Sequence, residues 1–475
     1  MASVPHSRAG NSLIRACGGD FGYATSRQFH REHHPMHVNR RAVLGLMAAA
    51  ALPGRWALAS SARTDDGVIE QAYLYLLGRM LVLRQEHIDR AKPSFAYNQI
   101  NYNPLGSADF VNPNFDVAYL EAWIAVDDRT PVLLTVPRIT GRYYTAQILD
   151  EWGEVIANIN ERTFASQPSG SYALVAPGWR DDLPAGVARI ELHSRKAKLL
   201  GRVELKDDPD GAIKLQQAFA LGALGRPVVF PAPVVPSFNN QDLLGAEIFD
   251  DVDARIDSAF DVSPVAAQMQ QQVRAVAEYV ASSAQARAAV DKLLREQVVP
   301  RFIEYAFTKS APYRNHWVGG GATGNYGSDY LLRTVVNYAG IWANTSGEAV
   351  YFGATRDANE APLNGSNSYV MHFPADQLPQ SAVDAYWSVI LVSVPDYRVV
   401  PNDLKRYNFN NHSNLKLEAD GSMKIVIGPK AVAGVAESNW LPAPPGKPFS
   451  LTFRMYVPKD AVKTGAWAPP AVTPL

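Results

Sequence analysis

Eight consecutive residues, Tyr143-Tyr144-Thr145-Ala146-Gln147-Ile148-Leu149-Asp150, alternate in character with a period of two. Only extended backbone sends successive side chains to opposite faces, so the run is a strand with two different faces. Tyr143, Thr145, Gln147 and Leu149 share one face; Tyr144, Ala146, Ile148 and Asp150 share the other. A short β-rich run at 131–136 precedes it, and Gly141-Arg142 offers a turn between the two. The expectation is an antiparallel hairpin holding Arg142, both tyrosines, Gln147 and Asp150 close together. Upstream, Asn112-Pro113-Asn114 is turn chemistry, with Asp116 just behind it.

The same signature recurs along the chain. Residues 155–159, 171–175 and 188–193 read as short strands; in the last, Ala188, Ile190 and Leu192 alternate with Arg189, Glu191 and His193. The pattern returns at 369–373, 387–394, 423–427 and 450–457. In the last of these, Leu451, Phe453, Met455 and Val457 alternate with Ser450, Thr452, Arg454 and Tyr456, and Asp420-Gly421 is a hairpin signal. Glycine and proline, 33 of each, supply the turns that many short strands need. Between the two β regions the pattern is helical at 210–224, 241–260 and 264–309, with a proline-rich joint at Pro227, Pro231, Pro233 and Pro236. A further helix is expected at 65–90, where Ile69, Ala72, Tyr73, Leu76, Leu77, Met80 and Leu81 fall at helical spacing. With 475 residues the chain exceeds the roughly 250–300 that one core serves, so two domains are expected. The fold class is mainly β with a helical middle block: two jelly-roll-like β-sandwich domains braced by helices. The divisions are a 65–204 β domain, a 205–345 helical layer and a 346–475 β domain.

Residues 1–59 read as a leader. Asn39-Arg40-Arg41-Ala42-Val43-Leu44 opens a twin-arginine pattern, an apolar run extends over 42–52, and Ala57-Leu58-Ala59 offers a cleavage site. Met36 is an alternative start that shortens the leader. The apolar run is far below the roughly 20 residues of a membrane span. The expected localisation is periplasmic or secreted, with no membrane span after cleavage. Cleavage removes the only cysteine, Cys17, with seven arginines and two acids, leaving 38 basic against 44 acidic residues. The resulting net charge of −6 and the lack of a basic patch argue against nucleic acid as a partner. The histidines that follow the leader, His87, His193, His316, His372 and His412, have no metal-ligand spacing, so neither metal nor cofactor is expected.

Two sets of segments resemble known families. Asn112-Pro113-Asn114-Phe115-Asp116, with the run from Gly141 to Trp152, resembles domain-of-unknown-function family 1254 across about 95–200. The runs beginning at Tyr369, Asp384, Val399, Glu418 and Asn439, closed by Gly465-Ala466-Trp467, resemble family 1214 across about 363–470. The resemblance implies two jelly-roll-like domains with helices and, in many members, export. It supplies no catalytic residues. Where family 1254 often shows Asp-Thr, this chain has Asp116-Val117.

Asp116, Asp150 and Glu151 are the candidate acid/base carboxylates, against the commoner roles of turn cap and ion pair. Arg142, with Tyr143 and Tyr144, is a candidate grip on an anionic or sugar-like ligand, against simple cross-strand packing. Trp387, Trp440 and Trp467, with Tyr386 and Tyr407, offer a stacking platform, although core packing is the commoner fate of tryptophan. Asn439 binds either a ligand or, more commonly, its own backbone. The Ser413–Lys416 SxxK lacks its companion motifs, no GxSxG occurs, and the glycine-rich 317–326 loop is not a P-loop. The expected function is a cell-envelope protein binding a small molecule or glycan in an aromatic interdomain cleft. The alternative is a metal-independent hydrolase or lyase using Asp/Glu with Tyr/Arg.

Overall fold

The computed structural model describes residues 65–106 and 112–475; the leader motifs lie outside them. The first element, α1 (Asp66–Arg90), is capped by Asp65, whose side chain accepts from the Gly67 amide at 2.8 Å. Its apolar residues predict one buried stripe, but nearly every residue from Ile69 to Leu83 is buried. A helix apolar all round belongs in the middle of a core. Gly78 makes one close approach possible: a Cβ there would stand 2.5 Å from the Thr334 hydroxyl of the helix that crosses it.

The first β region comprises β1 (Asn101–Tyr102), β2 (Val117–Ala125), β3 (Val132–Val136), β4 (Tyr144–Leu149), β5 (Val155–Ile159), β6 (Gly170–Val175), β7 (Val187–Glu191), β8 (Lys196–Glu204) and, beyond α2 (Pro209–Gln217), β9 (Ala220–Ala223). They form two sheets, β1-β2-β8-β4-β5 and β7-β6-β3-β9, antiparallel except for β6–β7. Leu120, Ile124, Val132, Leu134, Ile148, Leu174 and Leu199 join one buried cluster, which makes the pair a sandwich.

The middle helices are α3 (Val252–Asp257), α4 (Ala266–Ala281), α5 (Ala284–Leu293) and α6 (Val299–Thr308). After two short strands, β10 (Tyr313–Arg314) and β11 (Trp317–Gly319), comes α7 (Tyr330–Ala339). These helices wrap α1 in a second core built on Tyr73, Leu77, Met80, Val273, Leu294 and Tyr338. The remaining strands are β12 (Ala349–Ala354), β13 (Tyr369–Phe373), β14 (Trp387–Ser393), β15 (Asn408–Asn410), β16 (Met423–Gly428), β17 (Trp440–Pro442), β18 (Phe449–Tyr456) and, after α8 (Asp460–Lys463), β19 (Thr473–Pro474). They form sheets β10-β11-β12-β18-β14-β15 and β17-β16-β13-β19, closed over Phe352, Met371, Trp387, Ile425 and Phe453. The protein is therefore mainly β with helices, and its sheets are not closed barrels. Both sandwiches and the helices belong to one compact unit. Among the described residues no helix is long and apolar enough to cross a membrane.

Three sequence expectations are corrected. The hairpin joining 131–136 to 143–150 does not form: β3 pairs with β6 and β9, whereas β4 pairs with β5 and β8 in the opposite sheet. The turn at Gly141-Arg142 carries the chain across the sandwich, a route that alternation alone cannot tell from a hairpin. The helix over 210–224 stops at Gln217, because the chain beyond it pairs with β3. The 241–260 segment holds only a 3-10 turn, Ala246–Phe249, and the short α3.

Candidate functional site

The five-stranded sheet is buried on both faces, and that sets up the site. In β8, Ala197, Leu199 and Val203 enter their own sandwich core. Lys196, Lys198, Arg202 and Glu204 point the other way, as the strand period requires, yet all four are buried. Their cover is α1 and the second sandwich. Val82 of α1, Tyr119 and Trp123 of β2, Tyr143 just before β4, and Tyr386 and Tyr456 of the second sandwich form one cluster. Tyr386 and Tyr456 stack with ring centroids 4.3 Å apart.

The Asn112–Asp116 turn closes this joint. Asn112 has a left-handed backbone, φ 49°, donates to the Ala339 carbonyl at 2.6 Å and accepts from the Thr452 hydroxyl at 2.8 Å. Its carbonyl accepts from the Arg454 guanidinium. Asn114 donates to the Tyr386 and Tyr456 hydroxyls at 3.0 and 2.9 Å, while its own oxygen accepts from the Asp116 amide. Asp116 Oδ1 accepts from Asn408 and Asn410, each at 2.6 Å. Burial pushes the Asp116 carboxyl up, against the Asn410 amide and the nearby Arg454 charge.

Beside the joint lies a cleft of about 190 Å³. Its apolar wall comes from α6 and α7: Phe307, Leu332, Val335, Val336 and Ala339. The glycine-rich loop, at Gly319, Gly321, Ala322 and Thr323, forms another side, and Ile341 and Trp342 continue it. The polar end is lined by Tyr119, Arg202, Tyr351, Arg454 and Tyr456.

The three cations on the second face of β8 are treated differently. Lys196 meets Glu86 at 2.8 Å and Glu151 at 3.3 Å. Lys198 meets Asp89 at 3.0 Å and Glu121 at 2.7 Å. Arg202 instead donates to the Gln147 amide oxygen at 2.6 Å and the Trp342 carbonyl at 3.1 Å, and lies over the Tyr119 ring. Among the described residues no carboxylate pairs with it, and its Nε has no acceptor.

The residues singled out from sequence are dispersed. Asp116 and Asp150 do not converge: Val117 pairs with Glu204 and Leu149 with Lys198, about 20 Å apart along β8. Asp150 accepts from the Trp152 and Glu154 amides and meets His193 at 2.8 Å. Glu151 pairs with Arg79 and Lys196. Tyr143 and Tyr144 face opposite ways, Tyr143 into the joint and Tyr144 into the first sandwich core. Arg142 meets Asp208 at 2.7 Å and the Glu204 carbonyl at 3.1 Å, at the start of α2 and away from the cleft. Trp387 stacks on Phe453 inside the second sandwich, with Trp467 beside it. Trp440 donates to the Gly428 carbonyl, and Asn439 holds Lys416 and Lys424 backbone. Sequence reasoning did not single out Arg202, Tyr351 or Trp342. Arg202 sits in a legible alternation, Lys196-Ala-Lys-Leu-Leu-Gly-Arg202, but a charged face ordinarily reads as solvated.

A search of curated proteins finds no match. Among solved structures, the VPA0106 protein from Vibrio parahaemolyticus is 20% identical with a TM-score of 0.57, covering 87% of this chain and 100% of that one. An uncharacterized protein from Burkholderia cenocepacia is 15% identical with a TM-score of 0.40, covering 88% and 90%. The first likeness shows that the fold recurs. Family models of proteins of unknown function match at 94–222 (DUF1254) and 348–460 (DUF1214). The first match takes in the Asn112–Asp116 turn and Arg202, and the second takes in Tyr351 and Arg454. The chain thus joins a DUF1254 domain to a DUF1214 domain, in that order along the sequence.

Proposed function

We propose that the protein binds a small molecule in the cleft between its two β domains. One observation carries the reading: an apolar wall of helical side chains ends in a few converging polar groups, as small-molecule sites do. The apolar wall favours a small molecule over a glycan. No Asp or Glu is among the described side chains lining the cleft, and the two candidate aspartates are far apart, so binding is favoured over hydrolysis. The test is ligand identification by native mass spectrometry on the purified chain and on Val336→Trp, which fills the apolar wall. A bound species should appear in the wild type and be lost from a folded Val336→Trp. Retention of the same species by the filled variant would sink the reading.

The proposal extends to the compartment. The Arg40-Arg41 pattern supports export by the twin-arginine route, so changing both to Lys should hold the precursor in the cytoplasm. Normal export of that double variant removes the assignment.

A further inference from the structure

Building on the proposed cleft binding, we infer that the occupant is a small apolar monoanion whose carboxylate is held by Arg202. The argument begins with charge. Arginine stays protonated in proteins, and a buried cation is costly unless paired. Lys196 and Lys198, three and two alternations from Arg202 along the same strand face, each meet two carboxylates, whereas Arg202 meets none among the described residues. The carboxylates at this end are engaged elsewhere: Asp116 accepts from Asn408 and Asn410 and lies near a second cation, Arg454, Glu204 meets His412 at 3.1 Å, and Glu348 pairs with Arg162 at 2.7 Å.

Hydrogen-bond capacity points the same way. Arg202 Nε and Asn344 Nδ2 are buried donors without acceptors, and Asn344 Oδ1 already accepts from Arg202 at 3.4 Å. The Tyr351 hydroxyl accepts from the Asn344 amide at 3.2 Å, and the Tyr456 hydroxyl accepts from Asn114 at 2.9 Å. Each phenol still has its proton to give. The capacity left at this end is therefore donor capacity, which two carboxylate oxygens satisfy and a neutral amine or a cation does not.

Size sets the body of the ligand. The cleft, at about 190 Å³, is somewhat larger than the ~150 Å³ apolar cavity that accepts a benzene ring. One ring or a short alkyl chain bearing a carboxylate fits that space.

The experiment is calorimetric titration of the full chain with benzoate and with benzyl alcohol, which has the same ring but no charge. The wild type should prefer benzoate by about tenfold or more. Arg202→Gln should abolish that preference and keep the alcohol. If Arg202→Gln fails to fold, Tyr351→Phe should weaken benzoate several-fold and leave the alcohol unchanged. Equal wild-type affinities, with the alcohol lost in Val336→Trp, overturn the anion inference but leave cleft binding standing. Binding of neither compound overturns both. A benzoate preference that survives Arg202→Gln assigns the anion to another group and overturns the role of Arg202.

Discussion

Arg142 was the arginine most visible in the sequence, yet the structure spends it on the Asp208 carboxylate and two nearby carbonyls. Asp208 is about half exposed, so Arg142→Ala should cost about 1 kcal/mol in urea unfolding and leave cleft binding intact. A loss of several kcal/mol would mean that its partner is effectively buried. Arg333 is the opposite case. It donates to both oxygens of the buried Asp261 at 2.7 and 2.8 Å, so Arg333→Ala should cost about 3–5 kcal/mol by leaving Asp261 unpaired. Glu154 gives a pH signature. Burial pushes its carboxyl up to about 7, despite a bond from the Tyr326 amide and the Arg333 charge. The unfolded group ionises near 4.5, so its stabilising contribution is full below that value and is lost as pH rises through 7. Relative to wild type, Glu154→Gln should gain about 2 kcal/mol between pH 4.5 and pH 8, a figure reduced for partial solvent access. Unfolding curves for both proteins at the two pH values decide it, and a constant difference would show that Glu154 does not titrate there.

At the scale of elements, the period of two was the reliable signal. The split of Tyr143 and Leu149 from Tyr144, Ala146 and Ile148 appears as predicted, with one set in the joint and the other in the sandwich core. Pairing partners were not legible, because β3 and β4 carry similar alternation and nothing local says which sheet each joins. The same holds for α1: a helical period was evident, but burial all round it depends on helices more than a hundred residues away. The glycine-rich loop is a packing device. Gly324 has φ +80°, and a Cβ there would stand 2.8 Å from the Thr345 amide nitrogen. Gly324→Ala should therefore destabilise by about 1–3 kcal/mol and weaken cleft binding, since the loop forms one side of the cleft. A Gly324→Ala protein with wild-type melting temperature would show that the loop yields without strain.

For the whole molecule, the doubly buried five-stranded sheet makes the two sandwiches interdependent. Besides partners in their own sheet, Lys196 and Lys198 pair with Glu86 and Asp89 of α1, and Arg202 donates to the Trp342 carbonyl in the segment leading to the second sandwich. Residues 65–475 should therefore unfold in one calorimetric transition, and an isolated first sandwich should not be stable. Two well-separated transitions would refute that coupling.

Sequence alone determined the local terms: strand periodicity, helical periodicity, the Asn112–Asp116 turn and the order of the two family segments. These depend on neighbours within about ten residues, which the chain carries on its face. Tertiary structure alone decided which polar residues are functional candidates. Lys196, Lys198, Arg202 and Arg454 look like ordinary solvated positions on alternating strands. They become a buried ion network and a cation-lined cleft only because α1 and the second sandwich cover the β8 face and the Asn112 turn of the first β region meets Arg454. The meaning of a charge is set by the dielectric around it, and that is fixed by contacts hundreds of residues apart.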